Sequence, residues 1–202
     1  MKKLYLDIET LPAEEDKHEI LRGIFKRKAE KREQKMTVEE YIESSGLDGA
    51  FGRICCLSYA FDDGEVKTLS GSEEKILEEF WQIARDADLF IGFNLMDFDL
   101  RFIYQRSIIF GVKPTKDLNF ARYRNFPIYD LMYEWAKWNT WEGRISLDAL
   151  AKALGLPSSK GGEIEGKNVA QAYLDGRIKE ICLYCEKDVE LTRKIYKRMI
   201  FE

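Results

Sequence analysis

The run Leu4-Tyr-Leu-Asp-Ile-Glu-Thr10 constrains the chain more than any other stretch. Side chains alternate along a strand, so Leu4, Leu6 and Ile8 make one apolar face. Asp7 and Glu9 then project together from the other face, one strand repeat apart. Like charges held that close repel unless a cation stands between them. Acids recur in two further places. Asn94-Leu-Met-Asp-Phe-Asp99 follows the apolar run Leu89-Phe-Ile-Gly-Phe93, and Tyr184-Cys-Glu-Lys-Asp188 lies in a helical stretch near the C-terminus. Four carboxylates gathered on one site point to divalent-metal chemistry on phosphate.

The bulk numbers narrow the classes. With 202 residues and 45% hydrophobic composition, residues 1–202 are expected to form one domain with a proper core. No run of 18 or more apolar residues exists, so no membrane span is expected. The N-terminus reaches an acid by position 7, too soon for the apolar region of a signal peptide, and the expected location is cytoplasmic. Cys55 and Cys56 are adjacent in a strand, so alternation sends them to opposite faces. Cys182-x-x-Cys185 sits in a helical pattern with no second such pair. The cysteines therefore read as small buried residues and not as a metal or disulfide framework. His18, the one histidine, lies in a charged segment and is expected at the solvated surface, which argues against a serine–histidine pair. The net charge of −4 does not advertise a nucleic-acid footprint, but a cluster of metal-bound acids makes overall charge a poor guide.

The spacing predicts strands at about 3–9, 53–61 and 65–69, with Asp62-Asp-Gly64 as the turn between the last two. Between the first two strands lies a charged helical excursion over about 12–50. It contains the basic run 26–35 and a capping box at Thr37 and Glu40. A helix opens at Ser72 and runs to about Arg85, with Ile76, Leu77, Phe80, Trp81 and Ala84 on one face. A short buried strand at 88–93 and a helix at 99–110 ending at Gly111 follow. Then come a fifth strand at 127–130 and a helix through Trp138. From Ser146 the pattern is helical, interrupted by a Gly/Ser/Lys loop at 158–166. Trp135, Trp138 and Trp141, three apart as on a packed helix face, read as core or interface before base-stacking platforms. The order β-β-β-α-β-α-β-α predicts an RNase H-like α/β fold: a five-stranded mixed sheet flanked by helices, with a helical insertion after strand 1.

Phosphodiester hydrolysis needs a water to attack phosphorus while the 3′ oxygen leaves in line. Two divalent ions about 4 Å apart can activate that water and stabilise the leaving oxygen. Oxygen-only ligation favours Mg²⁺ or Mn²⁺ over Zn²⁺. Tyr184 and Asp188 are four apart and share a helix face, so a phenol would stand beside the metals. Its ordinary pKa is near 10, which makes it an orienting group for the water. Each signal alone has a plain reading: a solvated strand face, a helix start favouring an acid, or surface decoration. Their conjunction, in this order and on these elements, is the stronger signal.

On these residues the chain resembles the DEDD superfamily of 3′–5′ exonucleases. Asp7-Ile-Glu9 matches the first motif, Asn94…Phe98-Asp99 the second and Tyr184…Asp188 the third. Tyrosine, where a sister branch has histidine, places the likeness in the DEDDy branch. The chain is most similar there to stand-alone relatives of the proofreading domain of family-B DNA polymerases. Phe51-Gly-Arg-Ile-Cys-Cys-Leu-Ser-Tyr-Ala60 and Ile181-Cys-Leu-Tyr-Cys-Glu-Lys-Asp-Val189 support it. The resemblance implies that Asp7, Glu9 and Asp188 hold one ion, that Asp7 bridges to a second approached by Asp99 through water, and that Tyr184 orients the nucleophile. It implies nucleic-acid contacts at Thr10, Leu11, Asn94 and Phe98. Leu95 departs from the glycine common there, which would narrow the substrate approach; Asp97 competes with Asp99, and the Phe-Asp pair favours Asp99.

The resemblance implies removal of nucleoside 5′-monophosphates from single-stranded DNA, with DNA preferred to RNA and with two divalent cations. The competing readings are an exoribonuclease and a nucleic-acid-binding module without catalysis; all four acids and the tyrosine being present argues against the module. Lys116, Arg122 and Arg124 alternate with Phe120, Tyr123 and Phe126 in a pattern that suits unpaired strands, and a loop whose rings pack on the core is the alternative. The basic run 26–35 reads as a solvated, salt-bridged face.

Overall fold

The computed structural model of the chain describes residues 1–30, 35–139, 145–158 and 161–202. Trp141, positions 31–34 of the basic run and positions 159–160 of the Gly/Ser loop lie outside the described residues.

The sheet has five strands: β1 (Lys3–Leu11), β2 (Arg53–Phe61), β3 (Lys67–Ser70), β4 (Leu89–Gly92) and β5 (Ile128–Asp130). Their order is β3-β2-β1-β4-β5. β2 runs antiparallel to both β1 and β3, whereas β4 is parallel to β1 and β5 parallel to β4. This is the mixed sheet of an RNase H-like fold, as the element order predicts.

The alternation in β1 divides the core into two layers. Leu4, Leu6 and Ile8 pack with Ile76, Leu77, Phe80 and Trp81 of α3 (Glu73–Ala84) and with Leu100, Phe102 and Ile103 of α4 (Asp99–Phe110). Each large apolar side chain buried this fully contributes about 1.5–3 kcal/mol. A bidentate pair joins these helices at 2.8 Å, Arg106 to Glu73, both nearly buried. On the opposite face Tyr5 and Ala60 meet Val189, Leu191, Ile195 and Tyr196 of the C-terminal helix.

Between β1 and β2 lie α1 (His18–Ala29) and α2 (Val38–Glu43). Thr37 and Glu40 form the expected reciprocal cap, with Oγ1 accepting from the Glu40 amide at 3.1 Å and Oε2 from the Thr37 amide at 2.7 Å. His18 is half-buried, its Nε2 lying 3.1 Å from the Ala13 carbonyl oxygen, and is not the solvated surface residue expected. The helix after β5 is shorter than its spacing predicts. α5 (Leu131–Ala136) stops because Lys137 and Trp138 take left-handed backbone, φ 47° and 62°. Trp135 is exposed and Trp138 lies beyond the helix, so these two do not share a helix face. α6 (Leu147–Ala153), α7 (Val169–Leu174) and α8 (Ile178–Met199) complete the chain. Among the described residues no helix is long and apolar enough to cross a membrane.

Candidate active site

Asp7 and Glu9 leave β1 on the face that α8 covers, because they alternate with Leu6 and Ile8. Asp188 lies one turn after Tyr184 on α8, so the helix period turns both toward that face. Carboxylate oxygens of Asp7, Glu9 and Asp188 all lie within 4.8 Å of one another. Asp188 is buried and the other two are half-buried. Burial pushes the Asp7 carboxyl well above the usual carboxylate range, reinforced by Cys185, Asp99, Asp188 and Glu9. Glu9 is raised in the same way, by burial first and then by Cys185 and Asp188. Two strand acids raised by burial and by the Asp188 charge beside them form a site incomplete without positive charge.

Asp99 reaches the cluster from the other side of the sheet. β4 pairs with β1 only over Lys3–Tyr5, which leaves the next amides of β1 open on that edge. Asp99, the first residue of α4, fills the gap by accepting from the Ile8 amide at 3.0 Å. Its carboxyl is pushed up to about 8, by burial above all, against the lowering effect of that hydrogen bond. Asp99 is therefore beside the trio of acids and electrostatically coupled to it, with one oxygen already held by backbone.

Tyr184 is half-buried among the same acids. Burial raises its phenol first, followed by Asp188, Glu9 and Asp7, so the hydroxyl keeps its proton at neutral pH.

The nucleic-acid positions are placed less uniformly. Asn94 has left-handed backbone (φ 58°), and its amide donates to Asp130 at 3.1 Å. Its Oδ1 is buried with no hydrogen-bond partner. Phe98 is half-buried and tilted against Phe102, with centroids 5.6 Å apart. Thr10 donates its hydroxyl to the Gly46 carbonyl at 2.7 Å, which fastens the 12–50 excursion to β1. Leu11 is buried with Cys55, Cys56, Val169 and Cys185. Leu95 does not narrow the approach: it is fully buried in the α3/α4 layer. A Cβ at Gly92 would lie 2.7 Å from the Leu95 side chain and 3.2 Å from the Leu6 carbonyl oxygen, so glycine lets Leu95 fold under the strand. Asp97 instead accepts from the Tyr133 hydroxyl at 2.6 Å.

Two features escape sequence reasoning. Asp130 is 2% exposed at the end of β5 and accepts from four backbone amides. Met132 and Tyr133 belong to the first turn of α5, while Asn94 and Met96 belong to the second motif, so one carboxylate both caps a helix and shapes that loop. An aspartate directly before a helix was the available signal. The second feature concerns the cysteines. The register slips between Glu9, opposite Cys56, and Thr10, opposite Ile54. This bulge leaves Cys55 unmatched and gathers it with Cys56 and Cys185 in one cluster, correcting the opposite-face expectation. The Cys55 thiol donates to the Glu9 carbonyl at 3.3 Å, and the Cys185 thiol reaches the Asp7 carbonyl at 3.3 Å and its Oδ2 at 3.4 Å. Thiols thus buttress the two strand acids. All four cysteines are free.

Comparison with known proteins gives matches both by family and by fold. Residues 50–201 match the model of a family described as "Predicted 3′-5′ exonuclease related to the exonuclease domain of PolB". That span holds Asn94–Asp99, Tyr184 and Asp188; Asp7 and Glu9 precede it and join them through the sheet. The fold matches the structure of the family B DNA polymerase from the hyperthermophilic archaeon Pyrobaculum calidifontis, with a TM-score of 0.68 and 17% identity. The match covers 99% of this chain and 24% of the polymerase chain, so the likeness spans about a quarter of that enzyme. No curated protein matches the chain by sequence.

Proposed function

The chain belongs to the family of predicted 3′–5′ exonucleases related to the exonuclease domain of PolB, and from that premise we propose that it removes nucleoside 5′-monophosphates from the 3′ end of single-stranded DNA, using two divalent cations. The observation that carries this reading is the meeting of Asp7, Glu9 and Asp188 within 4.8 Å, from opposite ends of the chain. The donor set fits Mg²⁺ or Mn²⁺: hard carboxylate oxygens, no imidazole, and carboxyls raised by burial and by neighbouring negative charge, which a cation would offset.

Asp7, Glu9 and Asp188 would hold one ion, and Asp7 the second, with Asp99 acting on it through water. Bound cations supply the charge that lowers the pKa of the attacking water and stabilises the leaving 3′ oxygen. The chain's own residues do the rest. Ile8 fixes Asp99 through its amide, and Cys185 fixes the rotamer of Asp7. Tyr184, protonated, orients the water by hydrogen bonding without taking its proton. Asn94 and Phe98, held by Asp130 and Phe102, would meet the terminal nucleotides. The polymerase likeness favours DNA as substrate.

The test uses DNA and RNA oligonucleotides labelled at the 3′ or 5′ end, incubated with Mg²⁺, Mn²⁺ or EDTA. Stepwise loss from the 3′ end of DNA, abolished by EDTA and by Asp7→Ala, is the expected result. Binding without cleavage in either metal would leave a module that recognises nucleic acid and does no chemistry; preference for RNA would replace the substrate.

A further inference from the structure

A run of side-chain contacts leads from the second motif to the surface. The Tyr133 hydroxyl donates to Asp97, two residues before Asp99. The Tyr133 ring stacks on Trp138, with centroids 4.6 Å apart and planes 14° from parallel. Trp138 in turn contacts Tyr123 at 5.3 Å. Tyr133 is buried, Trp138 half-buried and Tyr123 75% exposed, so the run ends in an open ring. Tyr123, Lys137 and Trp138 all have left-handed backbone, φ 64°, 47° and 62°. Bulky residues take this conformation where their surroundings over-determine it. Here it brings rings from two separate segments into contact.

Charge identifies what would cover that ring. From residue 118 to 129 the chain carries Arg122 and Arg124 and no acid, although its net charge is −4. Both arginines are exposed, and Phe126 beside them is 59% exposed. Lys116 does not belong to this group, because its ammonium donates to the Ala87 carbonyl. Exposed rings alternating with guanidinium groups, free of acids, complement unpaired bases and their phosphates. An acidic protein surface would use the arginines without needing a supported, projecting ring.

We propose that Tyr123, seated on Trp138 and flanked by Arg122 and Arg124, is a stacking platform for unpaired bases upstream of the 3′ end. The assignment rests on the exonuclease reading for the direction of the strand. It adds a second contact, apart from the acid cluster and joined to it through Tyr133 and Asp97. Because Trp138 and Tyr133 stand between the platform and Asp97, it acts on the retention of long strands and not on the chemical step.

Fluorescence anisotropy in Mg²⁺ tests this, with labelled oligothymidylates of two and twelve nucleotides carrying a cleavage-resistant 3′ phosphorothioate. Tyr123→Ala should weaken the twelve-mer about tenfold and leave the dinucleotide unchanged, and Tyr123→Phe should restore binding. Arg122→Ala with Arg124→Ala should flatten the salt slope for the twelve-mer by about 1.4. A twelve-mer bound equally well by Tyr123→Ala overturns the proposal and assigns the exposed rings to a protein partner. Equal loss for both lengths also overturns it, placing Tyr123 in the cleft or in the stability of the fold. The two readings fail separately. A length-dependent loss in a protein that cleaves no 3′ end keeps the platform and rejects the exonuclease; normal 3′ cleavage with unaltered twelve-mer binding does the reverse.

Discussion

Two buried acidic places lie at the same end of the sheet and differ in kind. Asp130 is surrounded by donors: four backbone amides point at it, and burial lifts its carboxyl only to about 6 because those amides pull it back. Asp7 and Glu9 are surrounded by acids and thiols. Every leading influence on them pushes the same way, and both are raised well above the usual range. A carboxylate whose charge is already balanced serves structure. A cluster whose charge is unbalanced is stable only as an acid or with an external cation, and such mismatch belongs where function requires it.

The contrast predicts opposite signs for similar substitutions. Asp188→Asn removes one ligand of the proposed metal site, and activity should fall by about 10²–10³-fold or more, by analogy with the loss of a preorganised charge contact. The same change should raise the melting temperature of the metal-free protein, by about 2–4 °C for each kcal/mol of repulsion relieved. A variant that loses activity in Mn²⁺ and is also less stable than the parent in EDTA would break the distinction. Asp130→Ala should do the reverse in stability. It orphans four amides, and an unsatisfied buried donor costs about 1–3 kcal/mol, so a loss of about 3 kcal/mol is expected in urea unfolding, with or without metal.

The pH dependence sharpens the comparison further. Carboxyls raised in the folded state stabilise it below their unfolded pKa near 4 and lose that contribution as pH rises through the folded value. For Asp99 that window runs from about 4 to about 8, and Asp7 and Glu9 shift in the same direction. In EDTA the melting temperature should therefore fall from pH 5 to pH 8. Mn²⁺ should restore it more strongly at pH 8, because metal binding releases the protons these acids hold. A gap between metal and EDTA curves that does not widen with pH would remove the electrostatic argument.

What was legible in the sequence follows the regular periods. Asp7 and Glu9 could be placed on one face because a strand repeats every two residues, and Tyr184 and Asp188 because a helix brings every fourth residue round. The face of α3 was readable for the same reason, and Ile76, Leu77, Phe80, Trp81 and Ala84 are all buried. Irregular backbone was not readable. The bulge after Glu9 turns Cys55 against the rule of alternation, and two left-handed residues end α5 before Trp138. Leu95 resembles a residue on the substrate path until Gly92 is seen to admit it beneath the strand. Asp130 was visible as the end of a strand, but its partners at 94 and 96 depend on how β4 and β5 stop side by side.

Asp99 stands between the two kinds of acid, and its variants should show the smallest stability effect. Ile8 is its backbone donor from outside α4, beside its own amide, where Asp130 has four amides of other residues, and its carboxyl is raised to about 8. At pH 7 in the absence of metal it is therefore mostly neutral. Asn at this position keeps an oxygen for the Ile8 amide and removes a charge that is mostly absent already. Asp99→Asn should then unfold in urea within about 1 kcal/mol of the parent, since a retained hydrogen bond and an unchanged volume leave little to lose. Asp99→Ala abandons the amide and should cost about 1–3 kcal/mol. Both should lose exonuclease activity to a similar degree, because neither supplies a carboxylate to the second cation. If Asp99→Asn instead destabilises as strongly as Asp99→Ala, the ionised carboxylate supports the fold through groups other than Ile8, and Asp99 belongs with Asp130.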